Sequence, residues 1–401
     1  MIPVVKRWWS VLFVKAVSSL CSRGRLVYAC FLLLGLGTLL PWNFFITAQS
    51  LCMVEGVQHV ALFCVIRVPQ RLRLLVSLTL MILLFCVTTV FTQISTDDWQ
   101  TGFFILTMII IVIINSAGAI FQGGLFGVAG MFPEKYMTAV VSGQALGGVF
   151  ASAARIVSLS TGAHTATSAF IYFMIAVVVM IFTLLAYLFM SKTDFYKHYT
   201  NCQKSEKGSS EKGSGEDPQP ERTFSEQVKV FKEIWPLGVS VWGVFAVTLA
   251  AFPVLCVSII STAEDKIWSE VYFQPVVTFL LFNICDYIGR QGAGFTMWPR
   301  RGSVILYFMV AVRVVFIPLF LLCNHDPHSY IPTIFAHDSW YILFMFLFAL
   351  SNGYCSSLCM MYGPKMVAED KAEVASSMMA AMLGLGLLTG GLSSFAFALI
   401  S

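Results

Sequence analysis

The chain has 401 residues, 58% of them hydrophobic and only 11% charged, with a mean hydropathy of +0.80 and a formal net charge of +4. Soluble domains carry nearer about 25% charged residues, which excludes a soluble globular fold, and the small net charge gives no footprint for a nucleic-acid partner. Apolar runs of about 18 residues or more recur without strict alternation, so the expected class is an all-α polytopic membrane protein and not a β-barrel.

Residues 1–26 read as a cytosolic leader. An apolar patch, Trp8–Val14, follows a basic start, but Lys15 interrupts it and Arg23 and Arg25 follow, a poor pattern for a cleaved signal peptide. An interfacial segment with Trp8 and Trp9 at the headgroups fits better. Ten apolar spans are then predicted at about 27–49, 72–94, 103–126, 137–159, 167–190, 234–260, 271–298, 302–323, 339–361 and 373–400. An eleventh would have to lie in 51–66, where Glu55, Gln58 and His59 interrupt a run shorter than the roughly 20 residues of a full span.

Charge placement tests that segment. Lys6, Arg7, Lys15, Arg23 and Arg25 in the leader, and Arg67, Arg71 and Arg73 after the doubtful run, should all face the cytosol. Both clusters do so only if the chain crosses twice between Arg25 and Arg67. With that crossing, 21 of the 25 Lys and Arg lie in cytosolic loops, Lys266 lies outside, and Arg155, Arg290 and Arg313 are intramembrane. The expected topology is therefore eleven helices nominally, the second truncated or atypical, with a cytosolic N-terminus and an extracellular C-terminus. A re-entrant hairpin or a ten-span arrangement stays open.

The stretch 191–233 is polar, rich in Gly and Ser at 204–218, and reads as a disordered cytosolic linker. It separates an N-terminal helical bundle, 27–190, with its degraded second span at 51–66, from a C-terminal bundle, 234–401. Two bundles of six and five helices face to face suggest a transporter with its site near the midplane. Most of the 11 cysteines lie inside apolar segments without Cys-x-x-Cys spacing and read as packing residues. No metal-ligand cluster, phosphate-binding loop or nucleophile elbow occurs, so no metal, cofactor or enzymatic activity is expected.

Ionisable residues at membrane depth are costly and mark function. Asn283, Asp286 and Arg290 stand three and four residues apart on one helical face; lining a polar cavity, Asp286 could accept from ligand hydroxyls while Arg290 donates. The alternative is an intramembrane salt bridge at i, i+4 without ligand contact, with Arg313 as a rival partner. In the first span, Pro41 should bend or loosen the helix beside Trp42 and Asn43. Trp42 offers an aromatic face or simply marks the interface. Asn115, Gly118 and Gln122 share a face on which Gln122 either bonds a ligand or joins helices. Ser142–Gly148, with Gly143, and Gly384–Gly391, with Gly386, read as packing and hinge elements.

These stretches also carry a resemblance. Gly35–Leu40 followed by Pro41-Trp42-Asn43, the segment Asn115–Gly124, the run Phe282–Arg290, and Ser351-Asn-Gly-Tyr354 look like motifs of the equilibrative nucleoside transporter family, in that family's order. The resemblance runs from about Leu26 to Ser401 and is nearest to the broadly expressed vertebrate plasma-membrane members. It implies a major-facilitator-like fold of six plus five helices and facilitated, sodium-independent transport of purine and pyrimidine nucleosides, and of some nucleobases, by alternating access. Leu39 and Trp42 would wall the nucleobase and Gln122 would bond it. Asp286 and Arg290 would address the ribose, Asn283 would support them, and Leu387 would add an apolar wall. The chain departs from the family at Ile46, where a close relative has Met. It also lacks the long glycosylated first extracellular loop and most of the second span. That last departure keeps a non-transporting or regulatory isoform open as an alternative, and Asp286 would be the titrating group of a proton-coupled one.

Overall fold

A computed structural model describes residues 25–45, 70–93, 99–161, 165–199, 224–325 and 332–398. The N-terminal part contains α1 (Arg25–Phe45), α2 (Gln70–Phe91), α3 (Gln100–Gly130), α4 (Glu134–Thr161) and α5 (Thr165–Lys192). The C-terminal part contains α6 (Phe224–Ala251), α7 (Leu281–Thr296), α8 (Val304–Val312), α9 (Phe316–Leu321), α10 (Asp338–Tyr362) and α11 (Ala372–Ala398). Among the described residues nine helical spans are long and apolar enough to cross a membrane, and Arg25–Thr38 of α1 is a shorter apolar one. The doubtful run 51–66 and the leader lie outside the described residues.

Helix is the form lipid permits, because every backbone N–H and C=O then finds its partner within the segment. Hydroxyls inside the spans follow suit: Ser77 Oγ donates to Arg73 O at 2.7 Å, Thr89 Oγ1 to Phe85 O at 2.7 Å and Thr183 Oγ1 to Val179 O at 2.8 Å. Apolar side chains give little drive for helices to associate in lipid, so close approach and hydrogen bonds must select the pairs. In the N-terminal bundle α1 crosses α4, where a Cβ on Gly35 would run into the Val140 carbonyl and one on Gly143 into that of Leu32. In the C-terminal bundle α7 crosses α10 in the same reciprocal way, Gly289 against Leu350 and Gly353 against the Asp286 carbonyl. Gly386 of α11 lies against the backbone of Trp242 in α6.

Two seams join the bundles. Along α4 and α7 the contact runs from Ser152 and Asn283 at one end, through Val141 and Arg290, to Thr138 and Gly294 at the other. Along α3 and α11 Gly130 meets Ser376, Gly127 meets Ser377, and Ser377 Oγ donates to Gly123 O at 3.4 Å.

One expectation needs correction, and two of the expected spans contain turns other than α-helix. The linker is helical at both margins. Residues 194–199 are helical and bury Tyr196, and α6 starts at Phe224, because Val230, Ile234, Leu237 and Val241 recur at helical spacing and are all buried. The span at 302–323 is helical without a break from Val304 to Leu321, with a 3₁₀ turn, Arg313–Val315, between α8 and α9. Pro318, within α9, has no N–H for the Val314 carbonyl and crowds it, which tightens this turn. Finally, the span at 271–298 enters α7 through wide π-helical turns, Ile267–Tyr272 and Gln274–Leu280.

Candidate functional site

Asn283, Asp286 and Arg290 project from one face of α7 into the seam with α4. Asp286 and Arg290 are 3% and 5% exposed, so their partners must replace the water they lose. Arg290 Nε donates to Asp286 Oδ2 at 2.7 Å, and Asn352 Nδ2 of α10 donates to Asp286 Oδ1 at 2.7 Å. Both carboxylate oxygens are thus held, each with further acceptor capacity.

Arg290 also reaches the other bundle. Its Nη1 donates to the main-chain oxygen of Val141 at 2.8 Å and, at 3.4 Å, to Gln144 Oε1. Gln144 Nε2 donates to Thr38 Oγ1 of α1 at 3.1 Å, and Thr38 Oγ1 to Gly35 O at 2.7 Å. A continuous polar chain therefore links α10, α7, α4 and α1. Asn283 adds a second crossing, donating to Ser152 Oγ at 3.0 Å and to Phe279 O of its own helix at 2.8 Å, with its carbonyl oxygen pressed on Gly148.

The open choice of partner for Asp286 is resolved in favour of Arg290, since Arg313 reaches the acid only through Asn352. The pair is a salt bridge, and it is bonded across both bundles as well. Gln122 is half-buried and makes no hydrogen bond with another described residue. Asn115 on the same helix is buried and returns its amide to Ile111 O at 2.9 Å. A Cβ on Gly118 would meet Met81 Sδ at 3.7 Å and Thr38 O at 3.9 Å, ordinary contact distances, so this glycine is not at a tight crossing. Leu387 is half-buried and packs against the main core cluster. The backbone of Leu39, Pro41, Trp42 and Asn43 lies in α1, which continues through Pro41 to Phe45; their side chains lie outside the described ones.

Asn352, Gln144, Thr38 and Thr248 were not singled out by sequence reasoning. For Asn352 a signal existed: an amide beside Ser351 and Gly353 in a span of hydrophobes, where an unpartnered amide would be costly. Gln144 and Thr38 carry no such mark, because isolated polar residues on glycine-rich helices ordinarily serve packing.

The family described as Nucleoside transporter matches residues 108–399. Equilibrative nucleoside transporter 1 of Homo sapiens is 36% identical over 94% of this chain and 97% of that protein. Equilibrative nucleoside transporter 2 of Homo sapiens is 34% identical over 93% of this chain and 97% of that protein. Among solved structures, the proton:xylose symporter XylE of the major facilitator superfamily superposes with a TM-score of 0.58 at 13% identity, covering 96% of this chain and 89% of that one. That likeness gives the fold, a major-facilitator-like pair of helical bundles, and the sequence matches give the kinship. The chain belongs to the equilibrative nucleoside transporter family.

Proposed function

We propose that this protein carries nucleosides across a membrane by facilitated diffusion, with the α7 face as the ribose side of its site. The observation that carries the reading is the buried Asp286–Arg290 pair, bonded at once to α10 and to the opposite bundle, in a member of this family. A ribose diol both donates and accepts, so it can use the remaining lone pairs of Asp286 and the Nη2 of Arg290, which bonds no described residue. Gln122 would read the base, Leu39, Trp42 and Leu387 would wall it, and Asn283 would hold the face in register. Exchange of the Arg290 bonds between Val141, Gln144 and substrate would couple occupancy to the angle between bundles. No coupling ion enters the scheme, so net flux follows the nucleoside gradient and binding differs little between the two access states.

With the Lys- and Arg-bearing loops in the cytosol, the α3–α11 contact at Gly127, Gly130, Ser376 and Ser377 is the cytosolic gate, here closed. It joins small side chains, so parting it exposes little apolar surface. We assign the protein to the plasma membrane, with its N-terminus inside. Nothing observed favours the non-transporting or the proton-coupled alternative.

The test is uptake of radiolabelled uridine into proteoliposomes with and without imposed sodium or pH gradients. Saturable uptake indifferent to both gradients is expected. Absence of saturable uptake by folded, correctly inserted protein would refute the reading, and acceleration by a pH gradient would replace it with a coupled carrier.

A further inference from the structure

We propose that Arg313, which touches no part of the substrate face, is a positioning residue: it sets the orientation of the Asn352 amide and thereby holds Asp286. The inference rests on the transport reading above and adds a residue to it.

Arg313 sits in the 3₁₀ turn between α8 and α9, on a span whose neighbouring Val312, Val314 and Val315 are exposed on the lipid side. Its own side chain turns inward and is 1% exposed, although no carboxylate among the described residues lies within salt-bridge distance. A guanidinium at this depth needs a specific reason to be there. Its bonds supply one. Nη1 donates to Phe348 O at 2.9 Å and to Ser351 Oγ at 2.5 Å, and the guanidinium carbon lies 4.9 Å from the centre of the Phe348 ring. Nη2 donates to Thr248 Oγ1 at 2.8 Å and to Asn352 Oδ1 at 3.3 Å, and Thr248 Oγ1 is itself 2.7 Å from that Oδ1.

The logic is one of donors and acceptors. A guanidinium has donors and no acceptor, so the Asn352 atom facing it must be the oxygen. The amide nitrogen is then forced to the other side, where it meets Asp286 Oδ1 at 2.7 Å. Were the amide reversed, its oxygen would face a carboxylate and its nitrogen a guanidinium, two repulsive contacts in a site that excludes water. Arg313 thus lets Asp286 keep a bond within its own bundle that does not depend on Arg290. Arg290 is left to exchange partners across the seam.

Electrostatics agree with the geometry. Two arginines flank one aspartate, so Asp286 stays opposite a fixed positive charge even when Arg290 turns toward substrate. A residue kept only for filling space would have no need of a charge.

Purified variants in proteoliposomes, compared at equal amounts of folded protein, separate positioning from packing. Arg313→Lys, which keeps the charge and donors but loses the fork, should raise the KM for uridine less than Arg313→Met, similar in length but without donors, which should raise it about tenfold or more. A packing role predicts the reverse order. Arg313→Met added to Asp286→Asn should change KM by less than about twofold beyond the single Asp286 variant, because the two act through one chain. Should Arg313→Met fail to fold, Asn352→Leu, which cuts the chain while leaving the other Arg313 bonds, is expected to raise KM to the same extent. Wild-type KM in Arg313→Met or in Asn352→Leu, or equal fold-changes in both Asp286 backgrounds, would overturn the proposal. A wild-type protein that takes up no uridine would remove the transport reading, and this inference with it.

Discussion

The two bundles bury different things. In the N-terminal bundle the core is apolar and aromatic, with Phe31, Phe132 and Tyr136 in mutual ring contact and backbones brought together at Gly35 and Gly143. In the C-terminal bundle Asp286, Arg290 and Arg313 are buried, and Thr248, Ser351 and Asn352 bond to them. Lipid rewards neither hydrophobicity nor bare charge between helices; both halves use close glycine crossings and aromatic packing, and the second adds a hydrogen-bonded network around its buried charges. The halves then divide the labour. A bundle already wired for polar groups can present an Asp–Arg pair at the seam, while its partner meets it with acceptors, the Val141 main-chain oxygen, Gln144 and Ser152.

Substitutions can break or sharpen this contrast. The largest effect is expected for Asp286→Asn, which leaves two buried guanidinium groups facing no anion: stability should fall by about 3–5 kcal/mol and uridine uptake by about tenfold or more. Thermal unfolding in detergent and uptake at equal protein read the two effects. Next is Gly143→Val, where the added side chain collides with the Leu32 carbonyl and must push α1 from α4; a loss of about 1–3 kcal/mol is expected, and the KM of the protein that does fold should change little. If that variant shifted KM as strongly as the Asp286 change, the separation of shape from recognition would fail. Gln122→Ala comes third, with KM raised about threefold to tenfold and unfolding within about 0.5 kcal/mol of wild type, since Gln122 bonds no described residue. Smallest is Gly118→Ala, where a methyl finds ordinary contact distances. Its melting temperature and uptake should match wild type, and a marked loss would show that this face of α3 is tighter than its contacts.

Much of this was legible in the sequence, for physical reasons that also mark where legibility stopped. Lipid imposes helix on every apolar run, so the spans could be placed within a few residues. The acid and base of α7 stood out because burying them costs so much. The 3₁₀ turn at Arg313 was not visible as such, although Pro318 was the clue, because a proline inside a membrane helix bends, tightens or leaves it nearly straight depending on its neighbours. The helical margins of the linker were missed because composition averages hide a single buried stripe such as Val230 and Ile234. Pairings between helices, Gln144 with Thr38 inside the N-terminal bundle and Asn283 with Ser152 across the seam, depend on how two distant helices meet, which no local pattern encodes.

The partner that Arg290 finds across the seam at 2.8 Å is the main-chain oxygen of Val141, and a carbonyl has no codon. Every amino acid placed at position 141 would present the same oxygen, so a side-chain scan along α4 would pass this contact without a signal. The link between the halves is therefore insulated from mutational drift on one side and wholly exposed to it on the other. For this contact a genetic search should report Arg290 and not position 141, and a proline at position 145, which takes away the N–H that otherwise shares the Val141 oxygen, is the way to reach the silent partner.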